Sequence, residues 1–206
     1  MDVLYFSKND PQYPPLLTQN LRDQAPEKFA SLGNMDILKH KKLALFCSVK
    51  CPGNLILQAY DLAGHLRQSG VTVISGFHSP MERECLTILL RGKQPIIFCP
   101  ARGIHGLRLR KEFKQPLAEE RLLLLSPFSE TQCRITMETA VMRNRFVAAV
   151  ADSIFVSYAA SGSKMERLCG EILAWRKPLY MLEDAANHNL ISSGAIPVDS
   201  DNDVFM

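Results

Sequence analysis

Residues 143–164, RNRFVAAVADSIFVSYAASGSK, decide the fold. An apolar run from Phe146 leads into a β-type segment at Ser153 to Ser157, and Ser161-Gly162-Ser163-Lys164 is a glycine turn opening a further stretch of helical period. Arg143, Asn144 and Arg145 stand at the head of this unit. Phosphates are held by forked guanidinium donors together with backbone N–H groups at a helix N-terminus, and both parts occur here within about one βα unit.

The same alternation extends back to Leu43. Short apolar runs recur at Leu43–Cys47, Val71–Ile74, Pro95–Cys99, Leu122–Leu125, Ile154–Val156 and Leu179–Met181, each bounded by turn residues and mostly separated by stretches of helical period. The pattern predicts an α/β fold with a mostly parallel sheet and helices on both faces. Leu55, Leu57, Ala59, Leu62, Ala63 and Leu66 make one apolar helix face ended by Gly70, and Met81–Leu90 and Lys164–Trp175 read the same way. Arg134–Val150 reads as helical, in one piece or in two with a break before Arg143. Pro11, Pro14, Pro15 and Pro26 predict that residues 1–40 wrap the surface, leaving residues 41–206 as a single domain.

With 206 residues and 47% hydrophobic content, one core can bury roughly 70% of the unfolded chain's surface. A net charge of +3 is too small to announce a nucleic-acid binder by itself, so distribution matters more. Arg102, Arg108, Arg110, Lys111 and Lys114, with His105 when protonated, predict a basic surface loop, and Asp199, Asp201 and Asp203 form a small acidic tail. Cys47, Cys51, Cys85, Cys99, Cys133 and Cys169 have neither C-x-x-C nor zinc-finger spacing, so they read as reduced core thiols, with no metal site. With no signal segment and no long apolar run, the chain is expected to be cytoplasmic, with no membrane partner.

In an open parallel sheet the ligand crevice lies beyond the carboxyl ends of the strands. The residues there are Ser48, Lys50 and Gly53 after the first run, Ser75-Gly76-Phe77-His78-Ser79 after the second, Arg102 after the third, and Ser157 through Lys164 after the fifth. Hydroxyls and cations converge while acids are scarce, which favours an anionic ligand over a metal or a paired-carboxylate hydrolase. Each element also has a structural alternative. Ser75-Gly76 serves as a phosphate cradle or a tight turn, and His78 has no evident acid partner. Ser163 and Glu166 have the S-x-x-E spacing of a capping box, Arg143 and Arg145 could pair with acids, and Phe77 and Phe128 stack bases or pack in the core.

Together these pieces resemble the Rossmann-like core of the DNA-processing protein A (DprA/Smf) family. The resemblance rests on Tyr13-Pro14-Pro15-Leu16-Leu17, Ser75-Gly76-Phe77, Arg143-Asn144-Arg145, Ser161-Gly162-Ser163, and Asn189-Leu190-Ile191 leading to Gly194-Ala195. It implies an extended Rossmann-like fold and a cytoplasmic, non-enzymatic protein without cofactor. Such a protein binds single-stranded DNA in a basic pocket, forms a homodimer and assists a RecA-type recombinase during DNA uptake by natural transformation. By position Ser75, Gly76 and Phe77 are pocket residues, with Arg143, Asn144 and Arg145 as pocket formers. The sequence departs from the family pattern in the Arg102-to-Lys114 loop, which looks peculiar to this branch, and in two of the pocket turns. His78-Ser79-Pro80 replaces the arginine and G-I-D stretch after S-G-F, and Cys47-Ser48-Val49-Lys50 replaces a glycine-serine-arginine turn, leaving Ser48 and Lys50 to stand in.

The leading reading has Lys50, Arg102, Arg143, Arg145 and Lys164 neutralising phosphates while the turns at Ser75 and Ser161 donate amides. A rival rests on a turn similar to that of the Lonely Guy phosphoribohydrolases. It makes the chain a nucleotide sensor or hydrolase with Glu166 and Arg143 as catalytic residues, although Ser161–Glu166 lacks that family's double glycine and threonine. A third reading is a partner-binding scaffold.

Overall fold

The computed structural model describes residues 2–199, which form one nine-stranded sheet. Asp201 and Asp203 of the acidic tail lie outside the described residues. The central strands are β3 (Lys42–Phe46), β4 (Thr72–Ser75), β5 (Ile96–Phe98), β6 (Leu122–Ser126), β7 (Ser153–Val156) and β8 (Leu179–Leu182). They match the six apolar runs closely, because strands covered on both faces read as near-continuous apolar sequence. All five residues of β3 and of β6 are buried. With β1 (Leu4–Ser7), β2 (Lys28–Gly33) and β9 (Ile196–Val198), the order is β1-β2-β6-β5-β4-β3-β7-β8-β9. The β1–β2 and β2–β6 pairs are antiparallel and the others parallel.

Helices cover both faces. One core contains residues of α2 (Gly53–Ser69), α3 (Pro80–Leu90) and α4 (Lys111–Ala118), including Leu55, Leu62, Leu89 and Phe113. The other contains residues of α1 (Pro15–Leu21), α5 (Met137–Val150), α6 (Lys164–Ala174) and α7 (His188–Ser192), including Leu17, Phe146, Ile172 and Leu190. The chain runs outward from β3 through β6, then returns along α5 to place β7 on the other side of β3. The strand order therefore reverses between β3 and β7, whose carboxyl ends diverge into α2 and α6; such a switch point opens a crevice.

Residues 1–40 do more than wrap the surface. They supply β1 and β2 to the same sheet and α1 to one of its faces. Pro15 is the first residue of α1, where its missing N–H costs nothing. Phe29 on β2 packs against Phe6, Tyr13 and Phe146, while the Tyr13 hydroxyl donates to the Pro26 carbonyl at 2.7 Å, tying this segment to α5. The 134–150 stretch is one unbroken helix beginning at Met137, with Thr136 as its N-cap. The second half of the basic loop is also helical: α4 begins at Lys111, and Arg110 stacks on the rings of Phe98 and Phe113.

Candidate functional site

At the switch point a cleft of about 670 Å³ is bounded by three strand-to-helix connections and the amino end of α5. The loop after β3 contributes Ser48 and Lys50, the turn after β4 contributes His78 and Ser79, and the connection after β7 contributes Ala160, Ser163 and Lys164. Ile135, Met137 and Val141 form an apolar wall, with Arg143 and Asn144 deeper along α5. The two flanking loops are cross-bonded: the Ser48 N–H donates to the Tyr158 carbonyl at 2.9 Å, and the Ala160 N–H donates to Ser48 Oγ at 3.0 Å. Lys50, His78 and Lys164 are exposed. The amino ends of α5 and α6 reach the same space, capped by Thr136 and Ser163, so their partial positive ends reinforce the lysines.

The floor is a buried network in which Glu82 and Arg143 are central. Glu82 is only 4% exposed and accepts backbone N–H groups from Cys47 at 2.9 Å, His78 at 2.7 Å and Ser79 at 3.2 Å. Its carboxylate is thus consumed by the backbone that shapes the cleft, and Ser79 returns a cap to the Glu82 N–H. Arg143 is 3% exposed; its Nη1 donates to the Cys99 carbonyl at 3.0 Å and its Nε to Asn144 Oδ1 at 2.7 Å. Burial lowers the Arg143 pKa, opposed by the charge of Glu82. Arg143 therefore lines the cleft, as expected of a pocket former, and also braces the carboxyl end of β5 against α5.

The Ser75-Gly76-Phe77 turn is likewise structural. Ser75 Oγ donates to the Leu45 carbonyl at 2.6 Å and accepts from the Phe77 N–H at 3.2 Å, while Phe77 is buried and stacks on Phe98. The amides of Phe77, His78 and Ser79 are all occupied within the protein, in a tight βα turn. Ser126 repeats the arrangement after β6, donating to the Arg102 carbonyl and accepting from the Phe128 N–H; Phe128 too is buried.

The sequence matches the model of the family described as DNA recombination-mediator protein A over residues 4–206. The chain belongs to the DNA recombination-mediator protein A family. No curated protein matches the sequence. The fold is similar to that of DNA processing protein A from Streptococcus pneumoniae, with a TM-score of 0.79 and 21% identity, covering 96% of this chain and 71% of that one. It is also similar to DNA processing protein A from Helicobacter pylori, which was described for its unique single-stranded DNA binding mode; the TM-score is 0.75 with 18% identity, covering 93% and 89% of the two chains. A molybdenum cofactor binding protein from Rippkaea orientalis shares the fold more distantly, with a TM-score of 0.55 and 11% identity over 79% of this chain and 91% of that one.

In this member of the recombination-mediator family, the remaining candidates disperse. Arg145 Nε is ion-paired with Glu171 at 2.6 Å and its Nη1 bonds Gln24, so it lines a neighbouring apolar cleft. Arg102 does not line the switch-point cleft, and its Nε is buried without a hydrogen-bond partner among the described residues. Ser161 and Gly162 are exposed just beyond it. Glu166 also lies outside the lining: its carboxylate accepts the Gly162 N–H at 2.6 Å and a bond from Asn189 Nδ2, while its own N–H is capped by Ser163 Oγ at 3.1 Å. That is a cap closing the Ser161–Lys164 turn.

Sequence reasoning brought Ser48, Lys50, His78, Arg143, Asn144, Ser163 and Lys164 to one place, and missed Glu82 and the apolar wall. The Ser79-x-x-Glu82 spacing is a capping-box signal that could have drawn attention to Glu82. Nothing local marks Ile135, Met137 and Val141 as a wall. Of the six cysteines, Cys47, Cys85, Cys99 and Cys169 are buried, Cys51 is half-buried and Cys133 is exposed, so not all are core thiols. Among the described residues no group of three or more His, Cys, Asp or Glu could hold a metal ion. No helix there is long and apolar enough to cross a membrane.

Proposed function

We propose that the chain binds single-stranded DNA at the switch-point cleft, without catalysing a reaction, as a cytoplasmic mediator of recombination or DNA uptake. The observation that carries this reading is the composition of the cleft. Lys50, Lys164 and two helix amino ends face a volume whose one lining carboxylate among the described residues, Glu82, is buried and turned onto three backbone amides. The described single-stranded DNA binding of the H. pylori protein supports it, as does membership of the family. The apolar wall of Ile135, Met137 and Val141 offers bases a surface while the cations hold the backbone. A homodimer and a RecA-type recombinase partner belong to this proposal as properties of the family type.

The test is fluorescence anisotropy of a labelled single-stranded oligonucleotide across a salt series. With Lys50 and Lys164 as the exposed cations lining the cleft, the slope of log K against log salt is expected near −1.4, at about −0.7 per phosphate neutralised. Removing both lysines should flatten it. A slope near zero for the unaltered protein rejects the mode. The hydrolase reading gains no support from the position of Glu166, and release of free base from a nucleoside monophosphate, abolished by Glu166→Gln, is the result that would restore it.

A further inference from the structure

The basic stretch from Arg102 to Lys114 lines no part of the switch-point cleft, yet its cations are held in place. It carries five arginines and lysines and one acid, Glu112. Its sequence alternates: Leu107 and Leu109 are half-buried against the core shared by α2, α3 and α4, and Arg108 and Arg110 between and beyond them are exposed. α4 continues the pattern at helical spacing, burying Phe113, Pro116 and Leu117 and leaving Lys111 and Lys114, three positions apart, exposed.

Two sets of contacts join this stretch to the cleft. The Arg110 guanidinium carbon lies 5.8 Å from the centre of the Phe98 ring and 5.6 Å from that of Phe113, and Phe98 stacks on Phe77 with ring centres 6.3 Å apart. A line of packed groups thus runs from Arg110 to the residue before His78, which lines the cleft. On the other side the Gly103 N–H donates to the Gln132 carbonyl at 2.8 Å and the Arg102 carbonyl accepts from Ser126 Oγ. These bonds hold the start of the stretch against the loop that leads to Ile135 on the apolar wall. Arg110 is paired loosely with Glu112 at 3.8 Å; among the described residues Arg108, Lys111 and Lys114 form no ion pair.

We propose that Arg108, Lys111 and Lys114 are a second phosphate-binding surface for the single DNA strand held at the switch-point cleft, which runs on from there along the carboxyl edge of the sheet. The proposal rests on the function proposed above. β3, β4 and β5 are successive parallel neighbours, so the connections that follow them open on one edge. Two strand spacings separate β3 from β5, roughly 10 Å, which a few nucleotides span. Charge selects the occupant: anchored cations whose one neighbouring acid is already paired are complementary to a phosphate backbone, and each phosphate they neutralise releases counterions. Backbone contacts of this kind position a strand without reading its bases, so the surface adds affinity irrespective of sequence.

The test repeats the anisotropy salt series with two labelled oligothymidylates, one of about 5 nucleotides that fills the cleft alone and one of about 16 that reaches past it. The short one is expected to show the slope of the two cleft lysines, and the long one a slope steeper by about 2, the share of three phosphate contacts. Arg108→Ala, Lys111→Ala and Lys114→Ala together should bring the long oligonucleotide to the slope of the short one, with the short one and the thermal denaturation unchanged. The control replaces Lys41, Arg91 and Lys93 by alanine; these are equally exposed but lie before β3 and β5, at the opposite edge, and their loss should leave both slopes as they were. Equal slopes for the two lengths, or a long-oligonucleotide slope that survives the triple substitution, overturns the second surface. An equal loss in the control overturns its location, since overall charge would then account for the effect. A slope that ignores Lys50→Ala with Lys164→Ala overturns the function proposed for the cleft and the continuous track with it, whereas the comparison of the two triple variants decides the basic surface separately.

Discussion

The guanidinium of Arg143 occupies the space that a side chain on Gly76 would fill: a Cβ built at position 76 overlaps it. The glycine of the Ser75-Gly76-Phe77 turn is therefore required by a residue 67 positions away in the chain. Its backbone φ is not among the positive ones, so space rather than conformational freedom selects glycine here.

Gly76→Ala should displace Arg143 from the Cys99 carbonyl and leave a buried charge poorly paired. The expected cost is about 3 kcal/mol, or about 9 °C in Tm at ~3 °C per kcal/mol for a chain of this size. Urea denaturation of this variant beside Arg143→Ala checks it. A Gly76→Ala protein as stable as the original would refute the relationship.

The two glutamates near the cleft should behave differently on conversion to glutamine. Glu82→Gln replaces an oxygen that accepts buried backbone N–H groups with a donor, so it should cost about 2 kcal/mol and weaken DNA binding through the loop geometry. Glu166→Gln affects only a partly exposed cap and should cost about 1 kcal/mol or less, with binding unchanged. Equal losses in thermal denaturation would contradict the assignment.

Lys164 and Arg145 separate an exposed cation from one held in an ion pair with Glu171. Lys164→Ala should lower the salt slope of oligonucleotide binding by about 0.7, the share of one phosphate contact. Arg145→Ala should leave the slope unchanged, because that guanidinium is engaged by Glu171 and Gln24 outside the cleft. Anisotropy at several salt concentrations distinguishes them, and a slope that responds to Arg145 instead would move the binding track to the neighbouring cleft.

Lys177 closes the carboxyl end of α5, donating to the carbonyls of Ala148, Ala149 and Ala151 at 2.8, 2.7 and 2.5 Å. Burial, with a smaller contribution from Lys42, lowers its pKa from 10.5 to about 8, against the opposing charge of Asp152. The folded-state value lies below the unfolded one, so between pH 8 and pH 10.5 the unfolded chain binds more protons and this group's contribution to stability rises with pH. Subtracting the urea stability of Lys177→Met from that of the original protein should give a difference rising over that window. A flat difference would show that the ammonium keeps its ordinary pKa in the fold, and a falling one that its pKa is raised there; either would contradict the lowered value.

How far the sequence is readable depends on the range of the interaction that fixes each feature. The six central strands are legible because burial on both faces leaves a local mark, an unbroken apolar run. β1 and β2 are hidden among prolines and polar residues because their place in the sheet depends on distant partners, β2 pairing with β6 and Phe29 packing on Phe146. Ser163 and Glu166 are legible as a cap, since the spacing carries its own geometry.

By itself the sequence determined the alternation of strand and helix, hence a parallel α/β sheet whose carboxyl edge collects Ser48, Lys50, His78, Ser163 and Lys164. Periodicity and turn chemistry act over a few residues, so they survive in a linear reading. Only the tertiary structure decided which cations reach solvent. Arg143 and Arg145 are two positions apart with the same side chain. One points into the sheet's carboxyl edge under Gly76 and the other toward Glu171 on α6, because α5 turns about 100° per residue and meets different neighbours on each face.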